Sequence, residues 1–125
     1  MTRRQVDPIA GTIFEHSDEP AYVMDPRCDC IVAANDAGCA LLEYGRDEMI
    51  GLSIHHVHPS ERQELHELLE RVLANGHAST IRLTCRTKHG TFLPTEISLH
   101  ALEIGGEARV LGLVQDRSQH RAPKP

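Results

Sequence analysis

Tryptophan is absent from this chain, and phenylalanine and tyrosine occur only twice each. The aromatic platforms on which single-stranded nucleic acid stacks are therefore scarce. An excess of cations is missing too. Eighteen Asp and Glu face thirteen Lys and Arg, a net charge of −5 with His neutral. That balance argues against a surface built to neutralise a phosphate backbone. No apolar run approaches the roughly 18 residues of a membrane span. The basic start Met1–Gln5 is not followed by the apolar stretch of a secretory signal. The expected location is the cytoplasm, with Cys28, Cys30, Cys39 and Cys85 held as reduced thiols. Gly-x-Ser-x-Gly, a phosphate-cradling Gly loop and His-Glu-x-x-His are also lacking, so no enzymatic activity is expected.

What is present is 125 residues, enough for one domain with one hydrophobic core. Nine His stand out; they titrate near pH 6.5 unless perturbed. Asp7-Pro8 opens a short helix, because Asp caps and Pro suits the first helical position. Val6, Ile9, Ala10, Ile13 and Phe14 form its apolar stripe. Ala21–Asp25 and Cys30–Ala34 read as a hairpin around the turn Pro26–Asp29. Asn35 caps a helix to about Glu43, with Cys39 and Leu42 facing inward, and Arg46–Ile50 adds a further helical turn. Pro59 is expected to open the longest helix, to about Ala74, with Leu65, Leu68, Leu69, Val72 and Leu73 as its stripe. Asn75-Gly76 stops it. Ile81, Leu83 and Cys85 then alternate as a strand. Lys88–Thr91 makes a hairpin turn, Leu93–Ala101 alternates again, Gly105-Gly106 turns, and Ala108–Gln115 is the last strand. The class is α+β, with one antiparallel sheet covered on one face by helices.

At this point the chain resembles the PAS family over roughly residues 9–121. Ile13–Ser17 before Ala21–Asp25, Ile31–Asn35, Glu43–Gly51, His58-Pro59, Lys88–Pro94 and Val114–Ser118 each match a family segment, in the family's order and spacing. The resemblance implies a five-stranded antiparallel sheet, with short helices and one long helix enclosing a small cavity on one face. It divides the chain into an N-terminal helix and entry segment at 1–20, a core at 21–118 and a tail at 119–125. It implies a sensory module of a bacterial signalling or transcription regulator. Such a module binds a small apolar ligand and relays a change to an effector beyond the C-terminus, a DNA-binding regulator being favoured over a kinase. The alternatives are a ligand-free module for dimerisation or protein interaction, and a haem- or metal-binding redox or gas sensor.

The site candidates follow from the same match. Val23, Val32, Leu42, Ile50, Ile54, Val57, Leu69, Leu83, Ile97 and Leu113 are candidates for the cavity wall. His55 and His56 are candidates to turn into it and bond a ligand, while His58 is read as an ordinary helix entry. The cofactor is unknown. Ile54 stands where light-sensing relatives carry the cysteine that bonds flavin, so a flavin–cysteine adduct is set aside. Leu65 stands at the family's haem-ligand position and His66 one residue later, about 100° round the helix, so haem is set aside as well. No metal site is expected, because Cys28-x-Cys30 lacks knuckle spacing and nothing brings it to the His55–His58 cluster. Val6, Ile9, Ile13 and Phe14 are candidate homodimer contacts, since a short helix needs a partner surface for its stripe. Asp116 and Ser118, both N-cap types, are the candidate signal exit.

Overall fold

The structure, a computed structural model, describes residues 4–5 and 8–119. Chain order is β1 (Arg4–Gln5), α1 (Pro8–His16), β2 (Ala21–Asp25), β3 (Cys30–Ala34), α2 (Asp36–Leu42), α3 (Arg46–Met49), α4 (Ile54–Val57), α5 (Arg62–Asn75), β4 (His77–Thr80), β5 (Thr84–Arg86), β6 (Phe92–Ile104) and β7 (Glu107–Asp116). A 3₁₀ turn at Arg117–Gln119 follows. The sheet runs β1-β6-β7-β2-β3, with β4 and β5 also paired to β6.

β6 has thirteen residues and its edge neighbours are short. β5 covers Phe92–Pro94 and β4 covers Ile97–His100. β1 covers Leu102 and Glu103 in parallel. The sheet is thus five positions wide, as the resemblance implies, and three short strands share its last position. The two-residue parallel pair is an addition to the expected antiparallel sheet. β6 outruns β4, and the backbone groups left at its edge take up Arg4 and Gln5.

Other expectations shift for local reasons. The strand expected from Ile81 is broken: β4 ends at Thr80, whose Oγ1 accepts from the Arg82 N–H at 3.1 Å. Ile81 is left exposed while Leu83 and Cys85 are buried. The long helix begins at Arg62 rather than Pro59. Its N-cap Glu61 makes no cap bond; its carboxylate instead accepts from the backbone N–H and hydroxyl of Thr84. The helix stops at Gly76, whose φ of 90° only glycine adopts without strain. Leu65, Leu68 and Val72 are buried beneath it, and Leu73 stays exposed.

Asn35 ties the first helices to the sheet. It is fully buried. Its Oδ1 accepts from the N–H of Ala21 at 3.0 Å and of Gly38 at 2.8 Å. Its Nδ2 donates to the carbonyls of Phe14 at 3.0 Å and Glu19 at 2.9 Å. All four hydrogen-bonding positions of the amide are filled. At the other end of α2, the Leu42 carbonyl accepts from the backbone N–H of Lys88 at 2.9 Å. The β5–β6 hairpin is thereby anchored over the short helices. Among the described residues, no helix is long and apolar enough to cross a membrane.

Candidate functional site

Between the sheet and the short helices lies an apolar cavity of about 60 Å³. That is several times the roughly 10–15 Å³ one water needs. It is smaller than the pockets of about 300 Å³ or more that hold drug-sized ligands. Tyr22 and Met24 of β2 and Ile97 and Leu99 of β6 form part of the floor. Val110, Gly112 and Val114 of β7 complete it, and Leu42, Ile54, Val57 and His58 form the opposite wall. A second cavity of about 50 Å³ lies towards α5, lined by Leu65, Leu68, Leu69 and Leu83. Met24, Ile54, His58, Ile97 and Leu99 line both cavities and form the partition between them.

Strand and helix periodicities decide which candidates face inward. Leu42, Ile54, Val57 and Ile97 line the first cavity, and Leu69 and Leu83 the second. Val23 and Leu113 do not line either, because their neighbours Tyr22, Met24, Gly112 and Val114 occupy the inward face of the pleat. Val32 is exposed. The β2–β3 register pairs Val23 with Ala33 and Met24 with Ile31, so Val32 is the extra residue of a bulge. Ile50 is exposed because α3 is one turn long and Met49 takes its core position.

The histidine cluster also splits by periodicity. Ile54, Val57 and His58 stand at i, i+3 and i+4 and share the inward face. His55 and His56 turn away, correcting the expectation that one of them enters the cavity. His55 Nε2 meets Asp29 Oδ2 at 3.1 Å. His56 accepts from Arg86 at 3.2 Å. His58 was read as an ordinary helix entry, yet it is the buried one. Its spacing from Ile54 and Val57 was the signal that could have found it.

His58 Nδ1 lies 3.0 Å from the Thr84 carbonyl. A carbonyl only accepts, so Nδ1 carries the proton. Nε2 then points its lone pair at the Cys85 thiol, 3.9 Å away. Burial, more than any other influence, lowers the affinity of His58 for a second proton. The Cys85 thiol is pushed up to about 12, first by burial, so it is a neutral wall group. Tyr22 is raised by burial in the same way, and its hydroxyl donates to the Gly38 carbonyl at 2.8 Å.

The remaining candidates lie elsewhere. Ile13 is 66% exposed on α1 and Phe14 is half-buried. Val6 and the side chain of Ile9 lie outside the described residues. Asp116 Oδ1 accepts from the backbone N–H of Ser118 at 2.9 Å and from its hydroxyl, capping the 3₁₀ turn after β7. On α5, Leu65 is buried and His66 is exposed, 3.4 Å from Glu70. Among the described residues, no three His, Cys, Asp or Glu side chains come together as metal ligands would.

A family model described as PAS domain matches residues 19–119. The chain belongs to the PAS family. It is 22% identical over 111 residues to a methyl sulfide methyltransferase-associated sensor of Methanosarcina acetivorans. That match takes in 88% of this chain and 11% of the relative's length. A PAS domain from a two-component sensor histidine kinase superposes with a TM-score of 0.73 at 18% identity, covering 86% of this chain and 93% of its own. A Light-Oxygen-Voltage domain structure concerned with a flavin analogue gives a TM-score of 0.70 at 18% identity, over 88% of this chain and 84% of its own.

This last likeness overturns the use of Ile54 as a case against flavin. The PAS fold seen here is shared with a domain of the flavin class. Ile54 at the cysteine position removes a sulfur–carbon bond only. A flavin held by hydrogen bonds and packing needs no such bond, so residue 54 does not exclude it.

Proposed function

We propose that this PAS domain is a sensory module that takes a small, mostly apolar molecule into the cavity beneath its short helices and passes the change along β7. One observation carries the reading: the cavity wall includes Val110, Gly112 and Val114, and the same strand ends at Asp116, which caps the turn to Ser118. A molecule that settles against β7 favours one arrangement of that strand and its cap over another, which is a population shift. The sensor relative and the histidine-kinase neighbour support a signalling use. The relay is proposed to feed an effector joined after Ser118, and exposed Ile13 supports a homodimer contact through α1.

Native mass spectrometry of protein purified without refolding tests this reading. The expected result is a small adduct that leaves on denaturation and whose presence slows amide exchange in β7. Bare protein, together with an unchanged melting temperature in furan, benzene and indole, refutes it.

A further inference from the structure

The cavity wall carries an imidazole acceptor with a weak partner. Tyr22 uses its hydroxyl proton on Gly38. The paired strands β2, β6 and β7 use their backbone groups on one another. His58 commits Nδ1–H to Thr84. Its Nε2 is left with the Cys85 sulfur, 3.9 Å away.

Cys85 has a single proton for two acceptors. Its thiol stands 3.8 Å from Thr95 Oγ1 and 3.9 Å from His58 Nε2. Thr95 donates its own proton to the Leu83 carbonyl at 2.7 Å, so its oxygen is free to accept. When the thiol serves Thr95, Nε2 has no donor. Thiols are weak donors in either case, and a buried acceptor without a good donor is costly.

We propose that His58 Nε2 selects the cavity's occupant: a small uncharged molecule with an apolar body and a single N–H or O–H donor. The proposal rests on the ligand-binding reading above. The donor bonds Nε2, Cys85 turns to Thr95, and each buried polar atom of the group then has a partner. The apolar body packs on Tyr22, Leu42, Val57 and Val110. A cation is disfavoured because the wall offers no compensating charge.

Pyrrole and furan are nearly isosteric five-membered rings, and only pyrrole has a donor. Their affinities for the 125-residue chain, measured by NMR titration, should differ about five- to tenfold in favour of pyrrole, the size of one net hydrogen bond. The imidazole Nε2 resonance should move with pyrrole and not with furan. His58→Asn places an amide N–H where Nδ1 stands and removes Nε2, so it should abolish the preference. His58→Gln restores an acceptor near Nε2 and should recover part of it. Equal binding of the two rings to the wild type, or a preference that survives in H58N, overturns the proposal while the cavity reading stands. Binding of neither ring overturns the proposal, and with bare protein and an unchanged melting temperature in benzene and indole it overturns the cavity reading as well. The wild-type comparison needs no variant to fold.

Discussion

Asn35→Ala should be among the most damaging single substitutions in this domain. The side chain is fully buried, and its amide joins the entry segment, the first core strand and α2 through four hydrogen bonds. Truncation leaves the Ala21 and Gly38 N–H groups buried without an acceptor, at roughly 1–3 kcal/mol each. The lost N-cap is the Gly38 bond itself and is not counted twice. The Phe14 and Glu19 carbonyls are partly reached by water and add little. The expected loss is therefore roughly 3–5 kcal/mol, against a total of about 5–15 for a domain. With a urea slope of roughly 1–3 kcal/mol per molar, the unfolding midpoint should fall by about 1 M or more. Asn35→Ser keeps a capping oxygen for Gly38 and should recover about 1 kcal/mol of the loss. Equilibrium urea denaturation followed by far-ultraviolet circular dichroism measures all three proteins. A loss below about 1 kcal/mol in the alanine variant would refute the reasoning, since it would mean that the freed groups find partners elsewhere.

Three further outcomes are expected. Gly38→Ala should destabilise by roughly 1–3 kcal/mol in the same assay, because a Cβ there would stand 2.9 Å from the Tyr22 ring and 3.0 Å from the Ala21 carbonyl oxygen; an unchanged midpoint would show that β2 gives way freely. The Arg27 guanidinium hydrogen-bonds the Asp25 carboxylate and holds its pKa down to about 2, so Arg27→Ala should raise it towards the ordinary value of about 3.9 in a carbon-13 NMR titration. Stability from that pair is present above the unfolded pKa and is lost as pH falls through about 2. His58 is lowered by burial, so the unfolded chain takes up its proton first. Its contribution to stability should decline as pH falls from about 6.5 towards the lower folded value, and that part of the pH dependence should vanish in His58→Asn.

How far the sequence could be read depends on what each feature needs. The hairpins were legible because Lys88–Thr91 and Gly105-Gly106 are local turn chemistry. The cap at Asn35 was legible for the same reason, but its bonds to Phe14, Glu19 and Ala21 were not, because they join residues 14–21 positions apart. The bulge that expels Val32 was invisible: β3 is an unbroken apolar run with no alternation to read, and only pairing to β2 shows the extra residue. The break at Ile81 was hidden likewise, since the Thr80 side chain competes with the strand ladder without changing the apolar pattern.

The histidine cluster shows where a periodic argument is strong enough to assign a site and where it stops. In His55-His56-Val57-His58 three imidazoles compete for one inward position, and composition cannot rank them. Anchoring the turn on two apolar residues, Ile54 and Val57, ranks them at once, because only His58 lies on their face. The same step settles the tautomer only when Thr84 is known to supply a carbonyl, a contact 26 residues away. The chemistry of the cavity therefore arises where α4 and its C-cap His58 meet β5, and Glu61, just before α5, also bonds Thr84 of β5. A substitution such as Glu61→Ala should act on the cavity without touching it: losing the Thr84 anchor would let β5 move and detune His58 Nε2. The imidazole nitrogen-15 shifts of His58 should then report a mixed tautomer. A spectrum identical to that of the wild type would show that Thr84 is held by β6 alone.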